Sequence, residues 1–263
     1  MDNKPYYTPI EFKQPPIYIN GFATEQIINE ILYHKKIKEV KKLYCDSDSP
    51  SIIPNIEFEV RIGYINQSIN KFYPWVSKKK FNTYYYKITN SDFFKLEDDW
   101  HQEISYYWNN ANSNIGEVRT TSKYKKNKRF SVDHITKKKI YTQNIKFIQD
   151  ITNKNNNIMR LNISIETPVH KLDIPNIVNP RWVRIKVRKN YIYKDWRYSF
   201  IKIWEGVDHK SAELSFINDS PKLSIEIENN NPKLFQENFT YAICSLLMKG
   251  EDFFENSKGS ILV

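Results

Sequence analysis

The ten residues Asn55 to Tyr64, Asn-Ile-Glu-Phe-Glu-Val-Arg-Ile-Gly-Tyr, restrict what this chain can fold into more than any other stretch. With the period of two that a strand imposes, Ile56, Phe58, Val60, Ile62 and Tyr64 fall on one face, and Glu57, Glu59 and Arg61 fall on the other. The segment reads as a strand whose two faces differ in chemistry. The same grammar returns late in the chain, where Leu223, Ile225 and Ile227 alternate with Ser224, Glu226 and Glu228. Two carboxylate pairs, far apart in sequence, are available to meet.

At 263 residues with 40% hydrophobic content, the chain can bury a sizeable core as one large domain or two small ones. The 40 basic against 30 acidic residues leave a net charge of +10, which favours a polyanionic partner. Six glycines and no glycine-rich phosphate loop mean that any phosphate must be held by side chains. Cys45 and Cys244 have no metal-site or disulfide spacing and read as structural thiols in a reducing compartment. The first thirty residues carry no apolar run of signal or membrane length, so a soluble protein without membrane association is expected. His34, His101, His134, His170 and His209 are scattered and read as structural or surface residues.

Residues 1–22 are proline-rich and read as an extended arm, followed by a single domain over 23–263. A helix is expected over 24–43, with Ile27, Ile28, Ile31, Leu32, Val40 and Leu43 near one side and a lysine-rich opposite side. Strands dominate about 55–230, giving a mainly antiparallel β domain of α+β class. One helix is expected within this region, around Ser91 to Tyr107, with Phe93, Phe94, Leu96 and Trp100 packing. A terminal helix is expected over about 232–250, opened by Pro232 and carrying Leu234, Phe235, Phe239, Ile243, Leu246 and Leu247.

Further strands repeat the two-faced pattern. Arg160, Asn162, Ser164 and Glu166 share one face opposite Leu161, Ile163 and Ile165, and Arg184, Lys186 and Arg188 alternate with Val183, Ile185 and Val187. Arg119 and Lys138 lie in additional strands. Each pattern alone describes an ordinary half-buried sheet with a wet outer face. If the sheet instead closes into a barrel with these faces inward, carboxylates collect on one part of the wall and cations on another. Converging glutamates require a compensating cation, because like charges and burial both penalise ionisation. Oxygen-only ligands select Mg²⁺ or Mn²⁺ over zinc. Guanidinium and ammonium groups match phosphate oxygens, so metal and cations together indicate phosphoryl chemistry on a polyphosphate chain.

Ile-Glu-Phe-Glu-Val-Arg-Ile-Gly and Leu-Ser-Ile-Glu-Ile-Glu resemble the first and last glutamate motifs of the metal-dependent RNA 5′-triphosphatases of mRNA capping in fungi, protozoa and large DNA viruses, the triphosphate tunnel group. Arg160-Leu-Asn-Ile-Ser-Ile-Glu166-Thr-Pro-Val and Arg184-Ile-Lys186-Val-Arg188 are similar to two motifs between them, so the resemblance spans about 55–230. It implies a closed eight-stranded β tunnel with a polar lumen, supported by flanking N- and C-terminal helices. Glu57, Glu59, Glu226 and Glu228 would hold Mg²⁺ or Mn²⁺. Arg61, Arg119, Lys138, Arg160, Arg184, Lys186, Arg188 and Arg197 would bind the substrate's phosphates, and Glu166 would orient or deprotonate the attacking water. Glu166, Arg160, Arg184, Lys186 and Arg188 form the catalytic set.

Two positions depart from the family pattern: Ser224 stands where an additional glutamate is common, and Arg197-Tyr-Ser199-Phe-Ile201 replaces an Asp-x-Thr strand. The implied reaction is hydrolysis of the γ-phosphate of 5′-triphosphate RNA, the first step of capping. The implied partners are nascent RNA, a guanylyltransferase, since no Lys-x-Asp-Gly motif is present, and a second copy in a homodimer. The implied location is the nucleus, or the cytoplasm or virion for a viral source. Two other readings compete: a tunnel enzyme acting on inorganic triphosphate or nucleotides, and a non-catalytic basic RNA-binding β domain in which aromatics such as Tyr84, Tyr85, Tyr86, Tyr106, Tyr107 and Trp108 stack on bases.

Overall fold

A computed structural model describes residues 17–19, 25–44, 55–66, 68–108, 118–147, 157–170, 182–205, 220–230, 243, 245–247 and 249. The elements are β1 (Ile17–Ile19), α1 (Glu25–Tyr33), α2 (Lys35–Tyr44), β2 (Asn55–Asn66), β3 (Lys71–Tyr73), α3 (Lys78–Thr89) and β4 (Lys95–Trp108). They continue with β5 (Val118–Lys125), β6 (Lys128–Phe147), β7 (Asn157–Pro168), β8 (Trp182–Tyr193), β9 (Trp196–Glu205) and β10 (Lys222–Asn229). The strands run in the order β6-β5-β4-β8-β9-β10-β2, and β7 pairs with both β2 and β6, so eight antiparallel strands close a ring. β1 adds in parallel to β6, and the short β3 pairs with the end of β2.

Closure decides which residues are core. The larger apolar cluster lies outside the ring, where Ile56, Phe58, Val60 and Ile62 of β2 and Ile225 and Ile227 of β10 meet helical residues. Those residues are Ile31 of α1, Ile37 of α2, Phe81 and Ile88 of α3, and the helical positions Ile243, Leu246 and Leu247 near the C-terminus. A polar lumen makes the outer faces of the strands the hydrophobic ones, and helices must cover them. A smaller cluster of Ile104, Val183 and Ile185 covers the outer face of β4 and β8.

Two expectations are corrected. The helix expected over 24–43 is two helices, broken at His34, whose carbonyl accepts from Ile37 N at 2.9 Å and Lys38 N at 3.0 Å and so starts α2 afresh. The helix expected around Ser91 to Tyr107 is instead strand β4. Its Phe94 and Trp100 do pack against the core, but the segment is held between two neighbours, β5 and β8, whose backbone bonds override its local pattern. The helix embedded among the strands lies earlier, as α3, where Ser77 Oγ caps by accepting from Lys80 N at 3.2 Å. Phe81, Tyr85 and Ile88 share its inner side, with Phe81 and Tyr85 edge-on to Phe200 at 5.5 and 5.2 Å.

Apart from Ile17–Ile19, the N-terminal arm lies outside the described residues, as does most of the terminal helix region, Leu234, Phe235 and Phe239 included. No helix among the described residues is long and apolar enough to cross a membrane.

Candidate active site in the tunnel lumen

Strand alternation sends Glu57, Glu59 and Arg61 inward from β2, and Ser224, Glu226 and Glu228 inward from β10, because their neighbours Phe58, Val60, Ile225 and Ile227 are claimed by the outer core. The β2–β10 register sets Glu59 directly across from Glu228 and Arg61 across from Glu226. β7 lies on the other side of β2 and places Ser164 across from Glu57, Asn162 across from Glu59 and Arg160 across from Arg61. β8 contributes Arg184, Lys186 and Arg188, and β5 contributes Arg119.

Two carboxylates directly opposite each other repel unless a cation intervenes. Here the cations are protein side chains. Glu57 pairs with Lys137 and accepts from Ser164 Oγ at 2.9 Å. Glu59 pairs with Arg61, which also stands 3.2 Å from Glu226. Arg188 reaches Glu226 at 3.1 Å and Glu228 at 3.4 Å, and Arg197 reaches Glu228 at 3.2 Å. Glu166 is held by Arg119 at 3.1 Å and Lys137 at 3.5 Å.

These pairings set the protonation states. Burial pushes the Glu57 carboxyl up, but the Lys137 ammonium, aided by Arg119 and Arg61, outweighs it and holds the pKa at about 2. Glu226 is likewise brought to about 2, against its burial, by Arg61, Lys186 and Arg188. Glu228 moves the opposite way: burial and repulsion from Glu57 and Glu226 outweigh Arg188 and Arg197, and its pKa is raised.

Two lumen lysines make no ion pair with any described residue. Lys186 is 7% exposed, and burial, together with repulsion from Arg188 and Arg61, lowers its pKa despite attraction from Glu226. Lys139, across from the lumen residue Ser164, is exposed. Desolvation by the surrounding wall and repulsion from Arg160 and Arg61 still bring it to about 8. An anion bound between these lysines would relieve both.

The lumen assignment of Lys138 is corrected. Lys138 is exposed and pairs across from Ile165, an outer-core residue, so it points away from the tunnel. Lys137, across from Glu166, and Lys139, across from Ser164, take the inward places. The cause is a bulge at Ile140, which shifts the alternation so that Thr142 and Asn144 point inward beyond it. Arg160 faces the lumen, donates to Asn144 Oδ1 at 2.7 Å and stacks over Phe72 at 4.2 Å. Arg184 binds Glu205 at 2.7 Å and lies over the Tyr107 ring. Arg197 also binds Glu97.

The sequence pattern did not single out Glu103. It is buried on β4, 3.4 Å from His101 Nε2 and 3.7 Å from Arg188 Nε. Burial raises its carboxyl, and Arg188, His101 and Lys186 overcome that to hold it well below the usual range. The alternation His101, Glu103, Ser105, Tyr107 was the available signal.

The donor chemistry fits a hard divalent cation: four glutamates on two paired strands, with the buried Glu226 Oε1 accepting no hydrogen bond. Among the described residues no three acidic or histidine side chains converge on one point, so a metal would exchange for the present ion pairs with Arg61, Lys137, Arg188 and Arg197. Ser224 faces the same lumen, fully buried, its Oγ without a hydrogen-bond partner.

The protein is therefore a closed tunnel of eight antiparallel β-strands with an ion-lined lumen. In fold it is similar to the S. pombe Pct1 RNA triphosphatase, with a TM-score of 0.56 and 13% identity over 85% of this chain and 89% of that one. The S. pombe enzyme in complex with the Spt5 CTD gives a TM-score of 0.54, with 13% identity over 85% and 90% of the two chains. No family model matches the sequence, and no curated protein matches it significantly.

Proposed function

We propose that the protein is a polynucleotide 5′-triphosphatase, hydrolysing 5′-triphosphate RNA to 5′-diphosphate RNA and inorganic phosphate. The observation that carries this reading is the pair of lumen lysines, Lys139 and Lys186, which form no ion pair with any described residue and share the lumen with a wall of four glutamates. A polyphosphate supplies the missing anions, and the tunnel's closed wall accepts a chain end more readily than an internal segment. The fold shared with the S. pombe RNA triphosphatase supports the same reading.

In this mechanism Arg160, Arg184, Lys186 and Arg188 bind and align the triphosphate, joined by Arg119, Lys137 and Lys139. Arg61 ties the two glutamate strands together through Glu59 and Glu226, and Arg197 holds Glu228 from β9. Glu166, held in place by Arg119 and Lys137, accepts a proton from the water that attacks the γ-phosphorus. The bond from that phosphorus to the bridging β-oxygen breaks, and the electron pair leaves with the diphosphate end. Glu57, Glu59, Glu226 and Glu228 would hold Mg²⁺ or Mn²⁺. The ion, when bound, stabilises negative charge on the transferred group. The cationic wall does the same from the other side.

As the first step of capping, the reaction calls for a separate guanylyltransferase to consume the diphosphate end, and it belongs where RNA is made: the nucleus of a cell, or the cytoplasm or virion for a virus. A homodimer remains part of the proposal by family resemblance alone. The test is release of labelled γ-phosphate from triphosphate-ended RNA, with and without Mg²⁺ or Mn²⁺. The expected result is metal-dependent release that falls by at least about a hundredfold in Glu57→Ala. Metal-independent release, or full activity in the variant, would reject the mechanism. Hydrolysis of inorganic triphosphate in preference to RNA would favour the small-molecule reading.

A further inference from the structure

The β5–β6 hairpin combines two features that the tunnel itself does not use. Lys125, Lys126, Lys128 and Arg129 are all exposed, and none forms an ion pair with a described residue. Lys126 and Asn127 have φ of 49° and 62°, the two positive values of a tight two-residue turn, so the four cations are carried on a short, stiff tip. Beside them Phe130 is 57% exposed. A large apolar ring among exposed cations offers a polyanion that carries flat rings of its own both a stacking face and counter-charge.

The hairpin's register says where that ring points. Lys123 pairs across from Ser131 and Tyr124 across from Arg129, so Phe130 is the extra residue of a bulge. Bulges re-aim side chains, and this one turns the ring toward His101, a lumen-facing residue only 5% exposed, at 6.3 Å between centroids and 74° between planes. From there a continuous path leads inward: His101 to Glu103 at 3.4 Å, Glu103 to Arg188 at 3.7 Å, and Arg188 to Glu226 at 3.1 Å. Phe130 therefore stands at the tunnel mouth on the wall formed by β4, β5 and β6.

We propose that Phe130 is a stacking platform for the first bases of a single-stranded RNA whose 5′-triphosphate lies in the lumen, and that Lys125, Lys126, Lys128 and Arg129 hold the phosphates that follow. The inference rests on the triphosphatase reading and names how that site distinguishes an RNA end from inorganic polyphosphate. Base–aromatic stacking tolerates any sequence, and a basic strip that tracks the backbone makes binding salt-dependent. Recognition is accordingly of single-stranded RNA without base preference.

The test uses the full chain and a short single-stranded RNA bearing a 5′-triphosphate. Phe130→Ala should weaken its binding, followed by fluorescence anisotropy, by about tenfold, the scale of one lost stack. Phe130→Trp should restore it. The ratio of kcat/KM for RNA to that for inorganic tripolyphosphate should fall by about the same factor in Phe130→Ala. Exchanging all four cations for glutamine should flatten the dependence of RNA affinity on salt. Equal RNA affinity in Phe130→Ala, or a parallel loss on RNA and tripolyphosphate, would overturn the proposal. If the wild type releases no γ-phosphate from either substrate, the triphosphatase reading fails, and the binding comparison still decides the role of the hairpin.

Discussion

Lys137 and Lys138 are adjacent and chemically identical, yet they have opposite surroundings. The Lys137 ammonium is shared by Glu57, Glu59 and Glu166, whereas Lys138 projects from the outer face opposite Ile165. Lys137→Ala removes a cation from the lumen wall and leaves Glu57 without its main counter-charge. Its kcat for triphosphate-ended RNA should fall by about 10²- to 10³-fold. Lys138→Ala should stay within about twofold, since a solvated lysine on the outer face makes no contact that a substrate in the tunnel would feel. Steady-state kinetics on the two variants separates them, and equal losses would contradict the inward and outward assignments. Order along the chain was enough to find this strand but not to choose between neighbours, because the bulge at Ile140 is set by pairing with β7 and leaves no mark in composition.

At the scale of elements, β2 and α3 show how the outer core positions the lumen. β2 is paired on both sides, by β10 and β7, and its apolar residues anchor it from outside so that its glutamates cannot turn away. The chain even omits a side chain at Gly63, where a Cβ would stand 2.9 Å from Pro74 Cα and closer still to the backbone of Tyr73. α3 covers β9 through Phe81 and Tyr85, which meet Phe200 edge-on. Phe81→Ala should cost about 3–5 kcal/mol of stability through the cavity it opens. That loss is measurable as a lowered urea midpoint with an unchanged slope. A cost below about 1 kcal/mol would mean that α3 is not part of the cooperative core.

For the whole molecule, the lumen is a store of opposed charge, and that makes stability depend on pH. Glu57 and Glu226 are held at about 2 in the folded state, against an ordinary 4.5. Between those values the unfolded chain binds more protons than the folded one. Their stabilisation is therefore complete above pH 4.5 and is lost as pH falls toward 2. Glu228, raised by burial and by its acidic neighbours, acts with the opposite sign, its contribution fading as pH rises through its folded value. With Glu103, which Arg188, His101 and Lys186 also hold well below the usual range, three lowered carboxylates outweigh one raised group, so unfolding free energy should drop by on the order of a few kcal/mol between pH 5 and pH 2.5. Urea titrations at a series of pH values would show this, and a Glu57→Gln, Glu226→Gln double variant should have a flatter profile. An unchanged slope in that variant would exclude the two carboxylates as the cause.

The two-faced strands at Glu57, Arg160, Arg184 and Glu226 were legible before any fold was known, since side-chain alternation is a property of the local backbone and each apolar face had to be buried somewhere. The paired glutamates and the cationic excess were legible in the same way. That the polar faces turn inward follows from closure of the ring, in which β7, next in the chain after β6, also pairs with the distant β2, and β2 with the still more distant β10. The same long-range pairing made a strand of the segment after Ser91, brought Glu103 to Arg188, and set Lys137 rather than Lys138 in the lumen. A residue's periodicity shows which neighbours share its face; the partner strands alone show whether that face looks out into solvent or across a tunnel.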